Sequence, residues 1–120
     1  HLVGLESPAH AARSPMSGAI FETAVVGEIL RRLRGRGLEP RVSHWRTSAG
    51  SEVDLLVEAG GQRVPIEVKL SATPHPRMAR QIQGLRRDLG PSTHPGFVVH
   101  AGDIRLPLGD GTIALPFAEL

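Results

Sequence analysis

The sequence predicts an α/β fold with a mixed sheet flanked by helices, and three observations carry that prediction. An apolar pattern at helical spacing begins at Gly18, three short segments of strand character follow it closely, and a second helical stripe then separates them from a strongly apolar strand. The order helix, three strands, helix, strand and short β tail suits neither a helical bundle nor a sandwich, and no internal repeat interrupts it.

Residues 1–17 mix Pro, Ser, Ala and Gly with few large apolar side chains after Leu5. They read as a linker or the tail of an upstream element, which leaves 18–120 as the folded domain. In "GAIFETAVVGEILRRLRG", Ile20, Ala24, Gly27, Leu30 and Leu33 fall near one helix face, with Phe21, Val25 and Ile29 beside it. Ser17 is the expected N-cap, and Gly35 or Gly37 the stop. The basic run that ends this helix suits the negative end of its dipole, a simpler reading than a DNA-binding stripe.

"PRVSHWRT" reads as a strand leading to a turn at "SAGS", and "EVDLLVEAGG" as a second strand stopped by Gly60 and Gly61. "RVPIEVKL" is a third, so close behind that the two should form a hairpin. Pro65 marks an irregular start to it. "SATPHP" breaks the pattern, and "RMARQIQGLRRDLG" then sets Met78, Ile82, Leu85 and Leu89 on one helical stripe. "GFVVHA" is expected to lie centrally in the sheet, and "GDIRLPLGDGTIALPF" to add one or two short strands around a Gly-Asp-Gly turn.

Composition narrows the function classes. The chain has 120 residues, enough for one small domain, and 33 of them are Leu, Ile, Val or Phe, too many for a disordered chain. It has no cysteine, which excludes disulfides and Cys-based zinc sites and favours a cytoplasmic protein. No apolar run is long enough to span a membrane, and no signal-peptide pattern opens the chain. The net charge is only +2, weak support for a nucleic-acid partner; the high pI reflects arginine, which does not titrate. The heavy use of Arg, Ala, Gly and Pro suggests a GC-rich bacterial genome. The first residue is His1, so an upstream portion is expected.

Against thirteen arginines there is one lysine, Lys69 in "PIEVKLS". Residues two apart on a strand share a face, so Glu67 and Lys69 point the same way, as do Glu52, Asp54 and Glu58 on the preceding strand. A hairpin can bring Asp54 beside Glu67 and Lys69. Two adjacent carboxylates repel unless something neutralises them, and Mg²⁺ does so with one or two carboxylates while keeping several waters. A compact ammonium with a tunable pKa suits such a site better than a planar guanidinium that stays protonated. Taken alone, Glu-x-Lys on a strand is an ordinary ion pair.

"SEVDLLVEAGGQRVPIEVKLS" resembles the core motif of the PD-(D/E)XK nuclease superfamily, an acid on one strand followed by acid-x-Lys on the next. The resemblance implies a restriction-endonuclease-like α-β-β-β-α-β core. In it Asp54 and Glu67 would be ligands of Mg²⁺ or Mn²⁺, Lys69 would position the nucleophilic water, and Glu22 in "AIFETAVV" would be an auxiliary catalytic carboxylate, with Glu28 a weaker choice. Over residues 18–118, "GAIFETAVVGEILRRL", "HWRTSAGSEVDLLVE", "PIEVKLS" and a terminal "LP…LP" segment are similar to one uncharacterised domain family found C-terminal to AAA-type ATPase modules in bacteria and archaea. With Lys69 the sole lysine, no GxxxxGK[ST] phosphate loop exists in the chain, so any ATPase partner would lie upstream of His1.

Two functions follow as expectations: a metal-dependent DNA phosphodiesterase, or a catalytically inactive regulatory or interaction module of such an ATPase. Ser71, Trp45, Arg46 and Gln81 are candidate nucleic-acid contacts. The bland alternatives are a loop start for Ser71, core packing for Trp45 and solvation for Gln81 and Gln83. Arg77, Arg80, Arg86 and Arg87 fit an ordinary charged helix face as well as a phosphate surface. His44, His75, His94 and His100 show no metal-ligand spacing.

Overall fold

The computed structural model describes residues 16–46 and 48–120. The chain forms α1 (Ser17–Gly35), then β1 (Arg41–Arg46), β2 (Glu52–Ala59) and β3 (Gln62–Lys69). A 3₁₀ turn at Pro76–Ala79 leads into α2 (Arg80–Leu89), which is followed by β4 (Phe97–His100), β5 (Leu106–Gly109) and β6 (Thr112–Pro116), with a last 3₁₀ turn at Phe117–Glu119. The strands build one mixed sheet in the order β1-β2-β3-β4-β6-β5. The β1–β2, β2–β3 and β5–β6 pairs are antiparallel, whereas β3–β4 and β4–β6 are parallel. Apart from Met16 and Ser17, the segment read as a linker lies outside the described residues.

The buried stripe of α1 is Ser17, Phe21, Val25 and Ile29, four residues apart along one face. The expected face through Ile20, Ala24 and Gly27 is therefore displaced by one position, and Gly27 is exposed. Ser17 is the first helical residue rather than the cap; Met16 caps the helix without a side-chain bond. At the other end Gly37 takes φ 80°, its N–H donates to Arg34 O, and the Leu38 N–H reaches back to Leu33 O. That pair of bonds is a Schellman ending, which depends on a glycine in the left-handed region.

Two layers of side chains cover the sheet. On one face Phe21, Val25 and Ile29 of α1 pack on Leu55, Val57, Ile66 and Val99, and the Phe21 ring meets Phe117 edge-on at 5.7 Å. On the other face Ala79 and Ile82 pack on Val98, Leu108 and Ala114, while Leu85 packs on Val53 and Leu56. The strand β4 lies between β3 and β6 with Val98, Val99 and His100 buried, as its continuous apolar run requires.

The β2–β3 hairpin turns at Gly60 and Gly61, both at positive φ (58° and 80°), the pattern of a two-residue turn that follows strand twist. Pro65 is not at the start of β3 but in its middle, opposite Leu56, and the β3–β4 ladder begins one residue later at Ile66–Phe97. The C-terminal tail holds two strands, and β6 enters the sheet between β4 and β5. Among the described residues no helix is long and apolar enough to cross a membrane.

Candidate functional site

The β2–β3 ladder runs from Ala59–Gln62 to Leu55–Ile66 and stops there. One residue further on, side chains take over from the backbone. The Asp54 N–H donates to Glu67 Oε1 at 2.8 Å, and the Val68 N–H donates to Asp54 Oδ2 at 2.8 Å. The strand β3 meanwhile continues along β4 as far as the Lys69–His100 pair. The two carboxylates thus close a fork where β2 leaves β3, and they satisfy amides that the ladder abandons.

The fork has a cause in β1. Ser43 pairs with Leu56 and Trp45 with Val53, so Asp54 and Leu55 both stand against His44, which is a β-bulge. The bulge breaks the alternation that would put Glu52, Asp54 and Glu58 on one face: Val53 and Leu56, three residues apart, both pack against Leu85. On β3 the alternation is regular. Ile66 and Val68 pack toward α1, so Glu67 and Lys69 project from the face that α2 covers.

Glu67 is 3% exposed, and its Oε2 lies 3.5 Å from Lys69 Nζ, whose side chain is 41% exposed. Burial pushes the Glu67 carboxyl up to about 7; the Asp54 amide draws it back, the Asp54 charge adds to the rise, and the Lys69 ammonium opposes it. Each carboxylate commits one oxygen to a backbone amide, which leaves Asp54 Oδ1 and Glu67 Oε2 outside those two bonds, with Oε2 paired to Lys69. Asp54 and Glu67 line a cleft of about 500 Å³ together with Lys69, Gln81 from α2, and residues 49–52 at the tip of the β1–β2 hairpin. Gln81 Oε1 is buried with no hydrogen-bond partner among the described residues.

The model of a domain of unknown function, DUF4143, matches residues 17–120. The chain belongs to the DUF4143 family. No curated protein and no solved structure matches it.

The fold brings Asp54, Glu67, Lys69 and Gln81 of this DUF4143 domain together, and it sets Glu22 apart. Glu22 belongs to α1 on the opposite face and lines a separate depression with Ala19, Thr23, Val26 and Gly27. Glu28 is ion-paired with Arg31 and Arg32, which hold its carboxyl below the usual range. Among the described residues no three His, Asp or Glu side chains gather as a metal cluster. Ser71 Oγ accepts the Thr73 N–H and donates to Thr73 O, which shapes the loop after β3. Trp45 packs against Val53, Leu56 and Leu85, and Arg46 is ion-paired with Glu52 on the surface.

Arg86 donates to Thr93 O at 3.1 Å and to Asp110 O, which ties α2 to the loops before β4 and β6. His100 is fully buried: its Nδ1 accepts the Gly102 N–H and its Nε2 bonds Ile104 O. His75 Nδ1 accepts the Arg77 N–H at the start of the 3₁₀ turn. Sequence reasoning missed residues 49–52 as cleft walls. Nothing local marks them, since the wall depends on where the sheet and α2 place the turn.

Proposed function

We propose that this DUF4143 domain is a metal-dependent DNA phosphodiesterase on a restriction-endonuclease-like PD-(D/E)XK core, working beside an AAA-type ATPase module. The observation that carries the proposal is the Asp54–Glu67 fork beside Lys69, the one lysine of the chain. The donor set fits Mg²⁺ or Mn²⁺: hard carboxylate oxygens on Asp54 and Glu67, two residues that line one cleft with room for metal-bound waters. A buried carboxyl held near pH 7 beside a second carboxylate is the strain that a divalent cation relieves. When bound, the ion would supply Lewis acidity and a water of lowered pKa.

The chain's own residues do the rest. Lys69 Nζ, 3.5 Å from Glu67, offsets negative charge as it grows on the phosphoryl oxygens. Gln81 accepts a hydrogen bond from the attacking water once its side chain turns toward the cleft, which gives its unpartnered oxygen a donor. The ATPase association rests on the family resemblance of residues 18–118.

The test is divalent-dependent cleavage of linear, nicked and branched DNA by the wild-type chain and by Lys69→Ala. Cleavage by the wild type alone is expected; equal background from both removes the enzymatic reading. Gln81→Leu is expected to keep or raise the melting temperature, because it removes a buried orphan oxygen, and to slow hydrolysis about tenfold. A second reading, a non-catalytic module regulating the ATPase, is favoured by the placement of Glu22, which leaves two carboxylates at the fork. It predicts binding to the ATPase portion with no divalent affinity.

A further inference from the structure

The outer wall of the cleft is a turn held from the far end of α2. Residues 49–52 supply it, at the tip of the β1–β2 hairpin, and Gly50 within it sits at φ 88°. Just below the tip the hairpin is anchored by apolar contact, through the Trp45–Val53 pair against Leu85 and Leu89 of α2. Beyond that pair, Arg46 is ion-paired with Glu52 across the hairpin, and Ser48 ties the tip to α2. The Ser48 N–H donates to Asp88 Oδ2 at 2.7 Å, and the Ser48 hydroxyl donates to Asp88 Oδ1 at 3.0 Å, across forty residues of sequence.

Asp88 is an unexpected residue for its helix. It lies in the last turn of α2, where the exposed carbonyls favour Arg86 and Arg87 and disfavour a carboxylate. Its two oxygens are used together on one residue of the turn. Gln81 stands seven residues earlier on α2, two helical turns away and so on nearly the same side of the helix. One helix side therefore contributes a residue to the cleft at one end and, at the other, clasps the turn that lines the same cleft.

We propose that Asp88 is a positioning residue that fixes the β1–β2 turn as the cleft's outer wall and so sets its affinity for the phosphodiester substrate. This rests on the phosphodiesterase reading. A turn already ordered by the clasp spares the ordering that binding would otherwise require, an effect that converts to about three- to tenfold in affinity. Asp88 touches neither the carboxylates nor Lys69, so the chemical step should be insensitive to it.

The experiment compares wild type, Asp88→Ala, Asp88→Asn and Lys69→Ala in steady-state hydrolysis of a DNA duplex with Mg²⁺, alongside amide hydrogen exchange of residues 48–52. Asn keeps an acceptor for the Ser48 N–H and gains a donor for the Ser48 hydroxyl, so it preserves the clasp without the charge. Asp88→Ala is expected to raise KM about three- to tenfold with kcat within about twofold, and to speed exchange in the turn. Asp88→Asn should restore both. Unchanged KM, or a loss in kcat that Asn does not rescue, overturns the clasp. Hydrolysis no greater in wild type than in Lys69→Ala defeats the phosphodiesterase reading instead. In that case exchange decides whether Asp88 orders the turn, and equal protection in Asp88→Ala and wild type overturns that too.

Discussion

Replacing Lys69 with alanine is expected to slow Mg²⁺-dependent DNA hydrolysis by about 100-fold or more, while Mn²⁺ affinity changes little. The ammonium is 3.5 Å from Glu67 Oε2 and partly exposed to the cleft, so its loss removes charge stabilisation from the transition state without removing a carboxylate oxygen. Asp54→Asn is expected to behave differently. It keeps one side-chain oxygen to accept the Val68 N–H, so the fork persists, but it weakens both metal binding and hydrolysis. Asp54→Ala would also strip the Val68 amide of its acceptor, at about 1–3 kcal/mol of stability, which makes it the poorer probe. Isothermal titration with Mn²⁺ and single-turnover hydrolysis, run on the same preparations, separate the two residues. A Lys69→Ala protein that cleaves DNA at the wild-type rate would overturn the assignment.

The second large effect is on stability, through Glu67. Its carboxyl ionises near 4.5 when exposed and at about 7 when folded, chiefly because burial penalises the charge. Between those values the folded chain holds a proton that the unfolded chain has released. Stability is therefore full below about pH 4.5 and falls as pH rises through about 7. The loss is about 3 kcal/mol in the metal-free protein, at roughly 1.4 kcal/mol for each tenfold difference in proton affinity between the folded and unfolded chain. Glu67→Gln should flatten that part of the profile, which chemical denaturation at a series of pH values would read. Millimolar Mg²⁺ or Mn²⁺ should restore stability to the wild type above pH 7 and do little for Glu67→Gln. A wild-type profile that rises between pH 5 and 7.5 without metal would be incompatible with the buried, unneutralised carboxyl.

The elements legible in the sequence were those with local causes. Gly60 and Gly61 fixed a hairpin because both must take positive φ, and the Glu67–Lys69 spacing fixed a shared face because β3 alternates regularly. The meeting of Asp54 with Glu67 was legible for a related reason, since the hairpin register sets it. Its geometry was not. The bulge opposite His44 depends on how β1 pairs with β2, and no local signal at Asp54 announces it. Glu22 was misplaced because a pattern along α1 shows that one face is buried but not which side of the sheet receives it. Gln81 was legible only as one candidate contact among several, because its place on the cleft depends on how α2 packs on the sheet. The place of β6 between β4 and β5 is likewise a decision of the whole sheet.

The phosphodiesterase reading stands or falls on whether Asp54 and Glu67 hold a divalent cation at the fork. Calorimetric titration of the wild-type chain with Mn²⁺ at pH 7.5, against Asp54→Asn and Glu67→Gln, decides it. One site is expected in the wild type, with loss of that site in both variants. Absence of binding in the wild type, or a site that survives both substitutions, would refute it.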